Sequence, residues 1–428
     1  MNDTTLIDSC TPVARASLPT RVARKAVHAR LARLTHGRLR LHDGGETHSF
    51  GNGAGIDASV TVLDPALYAD IALGGSVGAG ESYVQGRWRS DDLTRVMRLM
   101  LQNDNALGGM ERGLARLSAP LRQFAHALRR NSRAGSRRNI SAHYDVGNDF
   151  FRLMLDETMT YSCALFEPAG LSLAEAQAAK LDRLCHTLDL APSDHVLEIG
   201  TGWGGFAIHA AGRYGCRVTT TTISPAQFEL ARERVAAAGL ADRVTMLRED
   251  YRDLRGCYDK LVSIEMIEAI GHRQYGEYFR RAAELLPRGG RMALQSITIA
   301  DRHYERTRDE VDFIKRYIFP GSCIPSVSAL ATAMAECSDL RIVSLEDIGP
   351  HYATTLAAWR RNVFANLRAV RELGYGDNFI RLWEFYLCYC EAGFAERQLG
   401  DVQMLLEVAR AGIEPATRVF SVRCSTNQ

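Results

Sequence analysis

The run Val196-Leu-Glu-Ile-Gly-Thr-Gly-Trp-Gly-Gly205 sets a cluster of glycines directly after an apolar segment and directly before a helical pattern. Glycines at that junction let backbone approach a ligand at a helix N-terminus, which suits a nucleoside cofactor. Such a turn also binds dinucleotides, or only reverses the chain, so the neighbouring residues have to decide. Glu198 stands two residues before Gly200, where a carboxylate can face a cationic group. A dinucleotide site would want an acidic residue about 20 positions further on, but Thr221, Thr222 and Ile223 end the next apolar run. Asp250, in Leu247-Arg-Glu-Asp-Tyr251, is placed either for an adenine amino group or for a helix N-cap. Together these residues favour S-adenosylmethionine, with Gly200, Gly202, Trp203 and Gly204 forming the cofactor loop.

The elements that must hold this loop follow an alternating rhythm. HVLEIG, a helix from Phe206, CRVTTTTI, a helix from Ala226, RVTMLRED, YDKLVSIE, a helix from Tyr275 and RGGRMALQSITI predict an α/β fold, a parallel sheet with crossover helices. The alternation then breaks into a charged helix, the turn Phe319-Pro320-Gly321, and an aromatic-rich helical run between two late strands, LRIVSLE and VQMLLEVA. A helical insertion there would cap a substrate. Before the alternation, residues up to about Leu101 read as a small mixed domain: a basic helical start through Leu41, then short apolar runs separated by glycines. An arginine-rich stretch from Glu111 to Arg138 marks the boundary. It is either a solvated linker or a patch for anionic headgroups. The expected division is 1–135 with the linker, 136–412, and a tail 413–428.

Ser141-Ala-His-Tyr-Asp-Val-Gly-Asn-Asp-Phe-Phe151, Met159-Thr-Tyr-Ser-Cys-Ala-Leu-Phe166, Thr222-Ile-Ser-Pro-Ala-Gln227, Ser263-Ile-Glu-Met-Ile-Glu-Ala-Ile-Gly-His272, Tyr317-Ile-Phe-Pro-Gly321 and Gly349-Pro-His-Tyr352 occur in that order. With these motifs the chain resembles the cyclopropane fatty acid synthase and mycolic acid methyltransferase family. Gly80-Glu-Ser-Tyr-Val-Gln-Gly-Arg-Trp88 is similar, more loosely, to the N-terminal domain of the longer bacterial members. The resemblance implies a Rossmann-like class I methyltransferase sheet with helical lipid-binding insertions and a small N-terminal α+β domain.

It also implies a reaction. A methyl group passes from S-adenosylmethionine to the double bond of an unsaturated phospholipid acyl chain, leaving a carbocation that a base must deprotonate. Proton loss from the new methyl closes a cyclopropane; loss from the chain leaves a branch. The base implied is a bound bicarbonate, held by Cys163, Glu268, Gln295 and Tyr352 with the backbone of Ile297, and sharing a proton with Glu268. Cys163 would then be an anion ligand and not a nucleophile. Tyr161, Ser162, Gly200, Thr222, Ile223, Gln227, Asp250 and Tyr251 are the implied cofactor contacts. Gln295 departs from the histidine of several members; an amide cannot relay a proton, though it can donate a hydrogen bond to the anion.

The remaining candidates have plainer readings. Glu265 lies three residues before Glu268, and a salt bridge is its expected fate. His143 and His272 are expected to be structural. The aromatic run Trp359, Phe364, Phe379, Trp383, Phe385, Tyr386, Tyr389 and Phe394 reads as helix core, with the wall of an acyl pocket as a second use.

Bulk properties narrow the class. The chain has 428 residues, 46% hydrophobic, enough for one large domain and a smaller one, and a net charge of +2 excludes a globally basic nucleic-acid binder. Of ten cysteines only Cys388 and Cys390 are close, and one intervening residue is not a zinc or thioredoxin-like spacing. No metal site is expected. Reduced thiols, a start without a signal-peptide pattern and no bilayer-spanning run predict a cytoplasmic protein that meets the inner face of a membrane transiently. A homodimer is expected from the resemblance. Two further readings stand beside the leading one: a fatty-acid methyltransferase giving a methyl- or methylene-branched chain, and a non-catalytic lipid-binding protein.

Overall fold

The computed structural model describes residues 17–107 and 146–409. The arginine-rich boundary, His143 and the tail after 409 lie outside the described residues, and so does the division expected within them.

Helix α1 (Leu18–Leu31) starts where the Ser17 side chain accepts from the Thr20 backbone N–H, with Pro19 in its first turn. It stops at Leu31, ten residues short of the expected helical start through Leu41. Arg38–Asp43 instead forms β1, because Arg-Leu-Arg-Leu-His-Asp alternates with a period of two and buries Leu39 and Leu41 on one face. β1 pairs antiparallel with β2 (Glu46–Gly51) and parallel with β3 (Asp57–Val62). Helix α2 (Leu67–Val84), the short β4 (Trp88–Arg89) and α3 (Leu93–Gln102) complete a four-stranded unit of order β2-β1-β3-β4.

The second sheet has seven strands. Helix α4 (Leu173–Leu188) leads into it, opened by a capping box in which Ser172 and Glu175 each bond the other's backbone N–H. The strands are β5 (His195–Ile199), β6 (Arg217–Thr221), β7 (Val244–Leu247), β8 (Lys260–Ile264), β9 (Arg291–Ile299), β10 (Leu340–Asp347) and β11 (Leu399–Val408), in the order β10-β11-β9-β8-β5-β6-β7. β5 to β9 pair in parallel, and β11 runs antiparallel to β9 and β10. The near-continuous apolar runs of β5, β8 and β9 follow from burial on both faces. One face packs Leu197, Leu261, Leu294 and Met404 against the helix Tyr275–Glu284; the other packs Val196, Val262 and Ala293 against α4. Strand order reverses between β5 and β8, so their C-terminal ends form the crevice where open α/β sheets bind ligands.

Helices α5 (Gly349–Ala365) and α6 (Asp377–Ala395) form the insertion between the two late strands. α6 has two working faces. Phe385 and Cys388 join the core of the N-terminal unit, while Trp383, Tyr386 and Phe394 join an aromatic cluster with Phe150, Phe151 and Trp359. The units are further tied by Tyr83 donating to Glu384 at 2.6 Å and Arg98 to Glu396 at 2.6 Å. No described helix is long and apolar enough to cross a membrane.

Candidate active site

A cavity of about 320 Å³ opens at the C-terminal ends of β5 to β9. The glycine loop forms one wall. Gly200 adopts φ +104°, and a Cβ there would stand 3.2 Å from the Met266 side chain, so the loop and the end of β8 touch only because that residue is glycine. Gly202, Trp203, Thr222, Ile223, Gln227, Asp250 and Tyr251 line the same space, as do Tyr161 and Ser162; Gly204 lies just beneath, capping the helix that begins at Gly205.

Several of these side chains are held in place. Thr222 Oγ1 donates to Gln227 Oε1 at 2.9 Å, and Gln227 is only 6% exposed although it sits in the first turn of the helix Pro225–Ala237. Arg252 grips both oxygens of Asp250, at 2.8 and 2.6 Å, so Asp250 is oriented by an ion pair and does not cap a helix. Ser162 Oγ meets the buried Lys180 Nζ at 2.7 Å. Glu198 is buried inside β5, receives the Thr220 hydroxyl at 2.6 Å, and burial pushes its carboxyl up to about 8. A cation placed against it would favour its ionised form. These neutral donors, the acid and the open loop fit the ribose, adenine and amino-acid ends of S-adenosylmethionine.

The residues expected to hold bicarbonate come together, but around another group. Glu265, expected in a salt bridge, follows the last residue of β8 and adopts φ +48°, a region side chains other than glycine seldom take. Its Oε1 accepts from the Cys163 backbone N–H at 2.8 Å and from Gln295 Nε2 at 2.8 Å; its Oε2 accepts from the Tyr352 hydroxyl at 2.5 Å. A carboxylate of the chain itself thus fills the donor set, and bicarbonate does not fit there. The Cys163 thiol takes no part in this set: it points to the Ala164 and Ile348 carbonyls, and burial pushes it well above the usual thiol range.

Glu268 sits one turn on, in the short helix Ile267–Ala269. Its Oε1 accepts from Ile297 N at 2.5 Å and Ser296 Oγ at 2.9 Å, and its Oε2 is buried without a hydrogen-bond partner. Burial first, then the Glu265 charge, push it up to about 8. Gln295 is fully buried; besides Glu265 its Nε2 donates to Asp401 Oδ2 at 3.0 Å, while its Oε1 accepts from Gln403 Nε2 at 3.0 Å. Asp401 is a site residue that the sequence motifs do not mark. Burial, the Glu265 charge and a hydrogen bond to Glu265 hold it well above the carboxylate range. Lys180, also unmarked, brings a buried cation within electrostatic reach of Glu265 and Asp401. Its signal was a lysine in the apolar stripe of α4.

The rest of the cavity is apolar, with Ile314, Phe319, Ile324, Leu356 and Leu399 on its wall. From the aromatic run only Tyr386 and Phe394 reach it. Trp359 and Trp383 are plain core, Phe385 faces the N-terminal unit, and Phe364 is 36% exposed. His272 lies in a short helix away from the cavity wall.

Comparison with known proteins agrees with this architecture. The pattern of the family described as mycolic acid cyclopropane synthetase matches residues 131–404. Tuberculostearic acid methyltransferase UfaA1 of Mycobacterium tuberculosis is 41% identical over 402 residues, covering 91% of this chain and 92% of that protein. Cyclopropane-fatty-acyl-phospholipid synthase of Escherichia coli is 36% identical over 368 residues, covering 85% and 90%. The crystal structure of mycolic acid cyclopropane synthase CmaA1 complexed with SAH and CTAB superposes with a TM-score of 0.59 at 31% identity, covering 63% of this chain and 98% of that one. The chain therefore belongs to the mycolic acid cyclopropane synthetase family, the S-adenosylmethionine-dependent methyltransferases that build cyclopropane and methyl-branched fatty acyl chains.

Proposed function

We propose that this protein methylates the double bond of an unsaturated fatty acyl chain, presented on phospholipid, and that its product is a methylene-branched chain. The observation that carries the reading is a single cavity shared by the cofactor loop, two buried carboxylates and an apolar wall. Bound at the loop, S-adenosylmethionine supplies an electrophilic sulfonium methyl. Glu198 would face its cationic amino-acid end, Thr222 and Gln227 its ribose, and Asp250 its adenine. An isolated alkene is a weak nucleophile, so Phe319, Leu356 and Phe394 would contribute by holding it dry and in line with the methyl.

The alkene pair forms the new C–C bond, and the cation remains on the neighbouring carbon. Direct loss of a proton from the added methyl closes a ring. Migration of a hydride from the methylated carbon, followed by loss of a methyl proton, gives an exocyclic methylene. The branched product is favoured by the 41% identity to a fatty-acid methyltransferase along nearly the whole chain. Ring closure is the second reading, supported by the 36% identity to a cyclopropane synthase. Vesicles of monounsaturated phospholipid incubated with methyl-labelled S-adenosylmethionine should gain label in the acyl fraction, and proton NMR of those chains should show vinylidene and not cyclopropyl hydrogens. Label confined to water-soluble products would sink the proposal.

A further inference from the structure

We infer that Glu265 is the base that removes the proton after methyl transfer, and that it makes this enzyme independent of bicarbonate. The inference rests on the proposed reaction at the same site. Three donors from three separate segments converge on the Glu265 carboxylate: Cys163 N–H and Gln295 Nε2 on one oxygen, the Tyr352 hydroxyl on the other. An anion from solution needs those same donors, and its oxygens would have to occupy the positions of Oε1 and Oε2. The chain holds Glu265 in this place at φ +48°, a conformation that costs about 1 kcal/mol or more for a residue with a Cβ. Backbone strain at a cavity wall is kept where the surroundings over-determine it; here they are the donor set and the pairing of Glu265 N with Gln295 O at 2.8 Å.

The geometry leaves the group competent. Oε1 accepts two of these hydrogen bonds and Oε2 one, and Glu265 lines the cavity. Met266, the next residue, packs toward Gly200 of the cofactor loop, so the carboxylate stands beside the region where a methyl group would be delivered. In the step, after the hydride has migrated, a C–H bond of the added methyl breaks, its electron pair becomes the π bond of the exocyclic methylene, and the proton passes to the Glu265 carboxylate and from there to water. Glu268 is the weaker choice: one oxygen is taken by Ile297 and Ser296, and at about 8 the group is already protonated near neutral pH. Asp401, hydrogen-bonded to Glu265 and to Gln295 Nε2, positions the base.

The test starts from the wild-type protein, labelled S-adenosylmethionine and monounsaturated phospholipid vesicles in carbon dioxide-depleted buffer. Methyl transfer is expected at the same rate with and without added bicarbonate. Glu265→Gln, which keeps the shape but cannot take a proton, should lower turnover at least about 100-fold, with its melting midpoint and S-adenosylmethionine affinity kept and no rescue by bicarbonate. Glu265→Gly relieves the backbone strain and frees the donors; activity should be low without added anion and rise several-fold with bicarbonate or formate. Wild-type transfer that falls on depletion and returns with bicarbonate overturns the inference while leaving the reaction standing, and so does a fully active Glu265→Gln. Absence of any transfer by the wild type overturns both.

Discussion

Gln295 Nε2 and Glu265 Oε1 lie 2.8 Å apart as neighbours across the β8–β9 pairing, which sets Ile264 opposite Gln295 and Gln403 opposite Gln295 on the other side. The amide is therefore a rung in a buried ladder, Gln403 to Gln295 to Glu265, with Asp401 on its second proton. A histidine ring has two nitrogens and cannot serve all three partners at once. Gln295→His should leave one of Asp401, Gln403 or Glu265 unpaired and cost about 1–3 kcal/mol. Gln295→Met, matched in volume, should cost more and lower turnover further. Denaturant melts and methyl-transfer assays on the two variants check this; a histidine variant as stable as wild type would show that the ladder is not what holds Glu265.

The frame of the site was legible in the sequence, and its centre was not. Apolar strands alternating with helices announced the parallel sheet, and the glycine loop announced its ligand edge, because both patterns are local. Cys163, Gln295 and Tyr352 were named from motifs and do converge. What they converge on was hidden, since Glu265 owes its place to a single positive φ after β8 and to partners from 87 residues downstream and 102 upstream. Asp401 was hidden for a related reason: its role comes from register across β9 and β11, where it stands opposite Ile297. Arg-Leu-Arg-Leu at 38–41 continues the basic charge of the helix before it, but its period of two makes it a strand.

Glu198 gives the enzyme a pH dependence of known sign. Its folded carboxyl is raised from 4.5 to about 8, as is that of Glu268. The stabilising contribution of each neutral acid is complete below about pH 4.5 and is lost as pH climbs through 8, by about 1 kcal/mol per unit. The cofactor-free protein should therefore melt at a lower temperature at pH 8.5 than at pH 6, and Glu198→Gln should flatten that slope.

Cofactor binding should run the other way. A cation at Glu198 favours the ionised form, so affinity for S-adenosylmethionine should rise roughly 10-fold from pH 7 to pH 9 and then level off. Calorimetric titration across that range measures it. In Glu198→Gln the pH dependence should vanish along with most of the affinity.

Gly80 is where the N-terminal unit meets the insertion. A Cβ there would lie 2.5 Å from the Phe313 ring and 2.9 Å from that of Phe385, and the adjacent Glu81 pairs with Arg316 and accepts from Tyr317. Those residues lead into the Phe319 wall of the cavity. Gly80→Leu should cost about 1–3 kcal/mol through overpacking, while Phe385→Ala combined with it should recover part of the loss. Melting curves of the single and double variants test the contact, and an additive double variant would mean that the two side chains do not meet.

If the proposed acyl chain lies in the cavity, the cavity face of α6 is where its length would be limited. Tyr386, Cys390 and Phe394 are spaced four residues apart, form one stripe and all line the cavity. Cys390 is the small member of the stripe, and burial raises its thiol, so it acts as space and not as a nucleophile. Cys390→Phe fills part of that space. A long chain would have to withdraw from the apolar wall, and a double bond that had sat beside the donor methyl would be displaced along the cavity. A methylene group fitted or excluded changes discrimination by 10-fold or more in such pockets, on the order of 1–3 kcal/mol. The variant should therefore keep its S-adenosylmethionine affinity and shift its products toward shorter chains, read by mass spectrometry of acyl methyl esters from vesicles of mixed chain length. Uniform loss of activity across all lengths would place the acyl chain elsewhere.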